Sequence, residues 1–202
     1  MSRWVFGFVA AAFVLSAQVI EFESNGLKYQ TLTKNGLTIM FAPIPSQLKG
    51  YAVLQVAASN GSKVNYTVDP EDFVFVSEDG TRLRAMPPRQ VVRRMLDKAN
   101  RDDVIKLIAT YEIGLYGLSR IQSTNGYEQR RQSAIAEFGG GRLKAAAAAS
   151  AIAFVKTKLE PGESTDGAIF YFPEDRASLG RGKLMVRAGG QTFEFEAFEA
   201  GR

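Results

Sequence analysis

The feature that most constrains this chain is a double change of hydrophobic period. Apolar residues recur at every second position up to about Arg84, at helical spacing from Pro87-Pro88 onward, and at every second position again from Leu159. A period of two buries one face of a strand, and a period near 3.6 buries one stripe of a helix, so neither pattern can serve as the other. The chain is therefore expected to be α+β, an antiparallel β-sandwich of immunoglobulin-like type interrupted by a mainly α-helical insertion.

The strand pattern is specific in several places. Residues 51–57 alternate Tyr51, Val53, Gln55 and Ala57 against Ala52, Leu54 and Val56, which predicts a buried strand with one wholly apolar face. Asn35-Gly36 suits a tight turn with positive φ and predicts a hairpin between 27–32 and 36–42, ended by Pro43 and Pro45, because proline cannot donate to a ladder. Residues 64–68 and 72–77 read as further strands, and Asp79-Gly80 turns the chain into a short return over 81–85. Beyond the helices, Glu160-Pro161-Gly162-Glu163 reads as a turn and 168–172 as a strand. Residues 183–187 and 191–198 read as a terminal hairpin closed by Gly189-Gly190. About eight strands are expected.

Four helices are expected between these halves. Val91, Val92, Met95, Leu96 and Ala99 mark one face of the first, with proline tolerated in its opening turn. Asp102 and Asp103 suit the start of the second, whose Val104, Leu107, Ile108 and Tyr111 repeat the spacing. A third spans 127–138 before three glycines, and a fourth, rich in alanine, spans 143–158.

The opening segment differs in kind. Arg3 precedes an apolar run over residues 4–15, and the small pair Ser16 and Ala17 follows before Gln18. That order is the pattern of a secretory signal peptide, with cleavage after Ala17 or one residue earlier; an uncleaved anchor is the other reading. The expected division is thus 1–17 signal peptide, 18–86 first part of the sandwich, 87–158 helical insertion and 159–202 second part. The mature protein is expected to be exported, either periplasmic or extracellular.

Composition narrows function mainly by exclusion. With 46% apolar and 11% aromatic residues the chain carries enough apolar surface to fold. It has neither cysteine nor histidine, so disulfides, thiol nucleophiles, histidine-bound zinc and histidine general bases are all excluded. Charge is segregated: residues 87–158 hold 13 basic and 6 acidic residues, net +7, whereas the flanking parts after residue 17 hold 11 and 15, net −4.

A family resemblance rests on the strand-rich halves. It lies in Val53-Leu54-Gln55-Val56 followed by Ser59-Asn60-Gly61-Ser62, then Val68-Asp69-Pro70-Glu71-Asp72-Phe73 and Glu78-Asp79-Gly80-Thr81. It resumes at Leu159-Glu160-Pro161-Gly162-Glu163-Ser164 and Gly167-Ala168-Ile169-Phe170-Tyr171-Phe172-Pro173. These segments resemble the telokin-like immunoglobulin-fold domains of secreted and surface-bound bacterial proteins. The resemblance implies a sandwich fold and a bacterial envelope setting. It implies no catalytic residue.

Candidate sites follow from charge. Asp69, Glu71, Asp72, Glu78 and Asp79 lie close together, but their spacing departs from a twelve-residue calcium loop and suits turns and strand starts instead. The same acids are conceivable as a glycosidase-type pair in a histidine-free hydrolase. Basic residues of the helical part are the stronger candidates: Arg89, Arg93 and Arg94, then Arg130 and Arg131, opposite an apolar stripe. An envelope protein, an anionic polymer or a lipid surface is the expected partner, not nucleic acid, since no aromatic platform accompanies the arginines. No enzyme activity, metal or cofactor is expected, and a structural part of a surface assembly is a further alternative. Protein recovered from the envelope fraction is expected to begin near Gln18. N-terminal sequencing checks this, and recovery of Met1 or Ser2 overturns it.

Overall fold

The computed structural model describes residues 18–45, 51–98, 101–117, 147, 149–173 and 179–200. The chain opens with strands β1 (Ile20–Ser24), β2 (Leu27–Lys34), β3 (Leu37–Ile44) and β4 (Ala52–Asn60). Next come β5 (Tyr66–Val68), a short 3-10 turn at Pro70–Asp72, β6 (Phe73–Ser77) and β7 (Arg82–Arg84). Helices α1 (Pro88–Lys98) and α2 (Arg101–Gly117) follow, and residues 149–152 are again helical. Strands β8 (Thr157–Leu159), β9 (Ser164–Tyr171), β10 (Gly180–Ala188), β11 (Gln191–Glu194) and β12 (Phe198–Ala200) complete the described chain.

Antiparallel pairing sorts these strands into a sandwich. The first sheet has the order β1-β2-β3-β4-β9, and the second runs β11-β10-β6-β7 with β12 on the far end of β10. A separate pair, β5-β8, lies beside them. Between the two main sheets Ile39, Phe41 and Leu54 meet Phe73, Leu184 and Phe193, all at most 1% exposed. Each such side chain contributes about 1.5–3 kcal/mol when removed from water, so this seam is the main source of stability.

The other face of the first sheet is covered as well. Val91 and Met95 of α1, Leu107 and Tyr111 of α2, and Ile152 pack against Ile44, Val53 and Phe170. This explains why β9 is buried at every position and β4 at all but one. A strand covered on both faces reads as a continuous apolar run, whereas a one-sided strand alternates.

Both ends of the helical part are stitched to the outer edge of β9. The Met86 N–H donates to the Phe170 carbonyl at 2.7 Å, and the Phe154 N–H donates to the Ala168 carbonyl at 2.9 Å. Ala168 and Phe170 are two positions apart on one strand, roughly 7 Å. Gly167 lies under Phe154, and a Cβ there would overlap the Phe154 backbone.

Several sequence expectations need correction. β3 continues through Pro43 to Ile44 rather than ending before it. The ring nitrogen of Pro43 faces the β2 side, where the ladder has already stopped at the Gln30–Phe41 pair, so no hydrogen bond is lost. The fourth helix does not reach residue 158: Ala153 bridges to Ala168, and Thr157–Leu159 is strand β8 on β5. The terminal hairpin is interrupted, because β10 pairs Met185 with Glu194 but Gly182 with Phe198, so one extra residue bulges between β11 and β12. β1, with its Asn25-Gly26 turn, adds a strand that periodicity did not mark. The expected third helix over 127–138 lies outside the described residues.

Asn60 ties the far end of the sandwich together. It is fully buried, and its amide donates to the carbonyls of Val64 at 2.8 Å and Leu159 at 3.1 Å. Its side-chain oxygen accepts from the Ser62 N–H at 3.0 Å and the Ser62 hydroxyl at 2.7 Å. An aspartate there would keep the shape while facing two carbonyls with a charge that cannot donate. Asn60→Asp is expected to lower stability by roughly 2–4 kcal/mol, measured as the shift in urea unfolding free energy at pH 7.

Candidate functional site

The helix-borne arginines come to different ends. Pro87 supplies the opening carbonyl of α1, accepting from the Gln90 and Val91 N–H groups at 2.9 and 3.2 Å. Burial of Val91 and Met95, four residues apart, then fixes which face of the helix meets water. Arg89 and Arg93 lie exposed on that face, and neither forms an ion pair among the described residues. Arg94 is half-buried: its guanidinium sits 4.0 Å from the centre of the Phe172 ring and hydrogen-bonds Tyr51. It anchors the helix to the end of β9 and is not a free contact residue. Arg130 and Arg131 lie outside the described residues.

A second basic surface forms on the opposite side of the molecule, where the sequence reading did not place one. Along β7, Leu83 turns towards the core, while Arg82 and Arg84 face outward. On β10, Leu184 and Val186 are buried, while Lys183, Met185 and Arg187 face outward. Strand pairing sets Arg84 beside Val74, Val74 beside Met185, and Arg187 beside Thr192. Arg82, Arg84 and Arg187 thereby rim an open groove of about 610 Å³ floored by Val74 and Met185, with Asp72 and Thr192 completing its wall. Arg84 and Arg187 form no ion pair among the described residues, whereas Lys183 is paired with Glu194. The legible signal was alternation itself, in Arg82-Leu83-Arg84 and Lys183-Leu184-Met185-Val186-Arg187. Counting charge by segment hid it.

Two of the acidic candidates, Asp69 and Asp79, serve the backbone, and Glu78 pairs with Arg181 at 3.4 Å. The Asp69 carboxylate accepts from the Glu71 N–H at 3.0 Å and pairs with Lys156 at 3.0 Å, which holds that ammonium above its ordinary pKa. The Asp79 carboxylate accepts from the Thr81 N–H at 2.9 Å and the Ser77 hydroxyl at 2.5 Å, closing the β6–β7 turn. Among the described residues no group of three or more acids is placed to hold a metal ion. Asp69 and Asp72 share a smaller hollow of about 350 Å³ with Lys156 and Arg187, beside Gly189-Gly190. Gly189 has φ +58°, and a Cβ there would strike the Tyr66 ring.

One polar cluster is closed to solvent. Tyr29, Gln55, Tyr111 and Asp166 are each at most 1% exposed and lie between α2 and the first sheet. The Tyr29 hydroxyl donates to the Gln55 side-chain oxygen at 3.1 Å, with the Gly114 carbonyl at 3.4 Å. The Gln55 amide donates to the Tyr111 carbonyl at 3.3 Å. The Tyr111 hydroxyl donates to the Asp166 carboxylate. A side chain at Gly114 would overlap Gln55 and Leu27, so the glycine permits this close approach within the helix. Sealed from water, the cluster sets the position of α2 on the sheet.

The fold and its surfaces thus define an antiparallel β-sandwich with a helical cover on one side and an arginine-rimmed face on the other. No known protein family, curated protein or solved structure matches the chain.

Burial of three tyrosines opposes their ionisation in the folded chain. It pushes the Tyr29 phenol from 10.0 up to about 12 and also raises Tyr51 and Tyr171. Below pH 10 these phenols are neutral in both the folded and the unfolded chain. Above it, only the unfolded chain ionises freely, so stability is lost as pH rises towards 12. The urea midpoint is expected to fall over that interval, and Tyr29→Phe is expected to flatten part of the fall.

Proposed function

We propose that this protein is a non-catalytic binding module of the bacterial cell envelope, and that its arginine-rimmed sheet face receives an anionic partner. The observation that carries this reading is the convergence of Arg82, Arg84 and Arg187 on one open groove, with no ion pair to Arg84 or Arg187 among the described residues. Guanidinium forks match carboxylate and phosphate geometry, and Val74 and Met185 offer an apolar floor. Export is supported by the apolar run after Arg3 and the small residues before Gln18. Among the described residues no helix is long and apolar enough to cross a membrane.

The sandwich is read here as immunoglobulin-like, of the telokin-like kind, and the helical part as an insertion into it. Supporting this, Met86 and Phe154 meet β9 two residues apart, so the helical part leaves and rejoins the sheet at nearly one point. A second contact surface is favoured by Arg89 and Arg93, which stand one helical turn apart on the wet face of α1.

The two surfaces separate cleanly by charge reversal, because exposed charges contribute little to stability. Retention of the wild type on immobilised polyglutamate at low salt is expected to be lost in R82E/R84E/R187E and kept in R89E/R93E. The opposite result assigns the contact to α1, and no retention of the wild type overturns the reading.

A further inference from the structure

Resting on that reading of the arginine face, we propose that its anionic partner is the β1 strand of a second copy of this chain, so that copies join head to tail through their sheet edges. β1 ends the first sheet and β7 ends the second, and among the described residues neither has a strand on its outer side. Such edges present unpaired backbone groups that template another strand.

The backbone groups of the two edges match in phase. Asn25 and Gly26, at φ 49° and 75°, form a two-residue turn, which makes Ser24 and Leu27 a hydrogen-bonded pair. Pairs alternate along an antiparallel ladder, so Phe22 and Ile20 also bond inward to β2, while Glu21 and Glu23 turn their N–H and C=O groups outward. In the β6–β7 hairpin the Ser77 N–H donates to the Thr81 carbonyl at 3.0 Å, and the Ala85 N–H donates to the Phe73 carbonyl at 3.1 Å. The same alternation turns Leu83 inward to β6 and the backbone groups of Arg82 and Arg84 outward.

Side chains match as well. Laid antiparallel, Glu21 stands opposite Arg84, Phe22 opposite Leu83, and Glu23 opposite Arg82. Directly opposed residues share a face, so each carboxylate meets a guanidinium and the apolar pair meets on the other side. The alternatives are disfavoured by charge: two β1 strands would set Glu21 against Glu23, and two β7 strands Arg82 against Arg84. The contact therefore joins unlike edges, and such a contact propagates into a chain of copies instead of closing as a two-fold dimer.

Sedimentation velocity over a concentration series tests this. The wild type is expected to gain mass with concentration at low salt and to revert to monomer at 1 M salt, where the Debye length is about 3 Å. E21R/E23R alone and R82E/R84E alone are expected to remain monomeric, since each carries two edges of like sign. Their mixture, and the chain carrying all four changes, are expected to assemble again. That recovery excludes misfolding as the cause of the loss. A wild type that stays monomeric, or single-edge variants that assemble as it does, overturns the proposal. E21R/E23R keeps every arginine of the groove, so its binding to polyglutamate reports on the groove separately: binding there without wild-type assembly sinks only the second-copy partner. Absence of both sinks the underlying reading too.

Discussion

The pairing of β4 with β9 is the contact on which the rest of the structure depends. These strands lie on opposite sides of the helical part in sequence, yet they pair over eight positions from Ala52–Tyr171 to Ser59–Ser164. Closing so long a loop costs chain entropy, and the cost grows only slowly with loop length. Burial of both strands on both faces offsets it. Phe170 points to the helices and Tyr171 to the second sheet, so one ladder anchors both layers at once.

Placement of the helices follows from that ladder. Once β9 is docked, its outer edge has free carbonyls at Ala168 and Phe170, and Phe154 and Met86 take them. Apolar packing of Val91, Met95 and Leu107 then supplies most of the adhesion, but apolar contact is non-directional. Direction comes from the buried hydrogen bonds of Tyr29, Gln55 and Tyr111, and from the absence of a side chain at Gly114. Arg94 on Phe172 adds a second fixed point at the other helix.

The distribution of charge follows the layers more than the segments. Apart from Glu21 and Glu23 on β1, acidic residues of the 18–86 part cluster at turns, where Asp69 and Asp79 satisfy backbone N–H groups. Its two β7 arginines join Arg187 from the far end of the chain on one sheet face. The helical part keeps its excess positive charge partly on the wet side of α1, at Arg89 and Arg93. The molecule therefore carries separate basic surfaces on its two outer layers, with the acidic strand β1 at the sheet edge.

By itself the sequence determined the local terms: the periods that separate strand from helix, the Asn35-Gly36 and Asp79-Gly80 turns, the start of α1 at its prolines, and the exclusion of histidine and cysteine chemistry. The last rests on composition, and each of the others depends on residues within a few positions of one another. Tertiary structure alone decided the non-local terms. Pro43 stays in β3 because the neighbouring ladder has already ended, and 153–159 leave the helical pattern because β9 and β5 offer strand partners. Gln55 reads as a polar position on a strand, yet the arrival of α2 buries it. Arg187 lies about a hundred residues from Arg82 and Arg84, and only the pairing of β6 with β7 and β10 brings the three to one groove. A side chain's local period is set by its neighbours in sequence, but its partners are set by which strands lie side by side, and that is fixed only when the whole core closes.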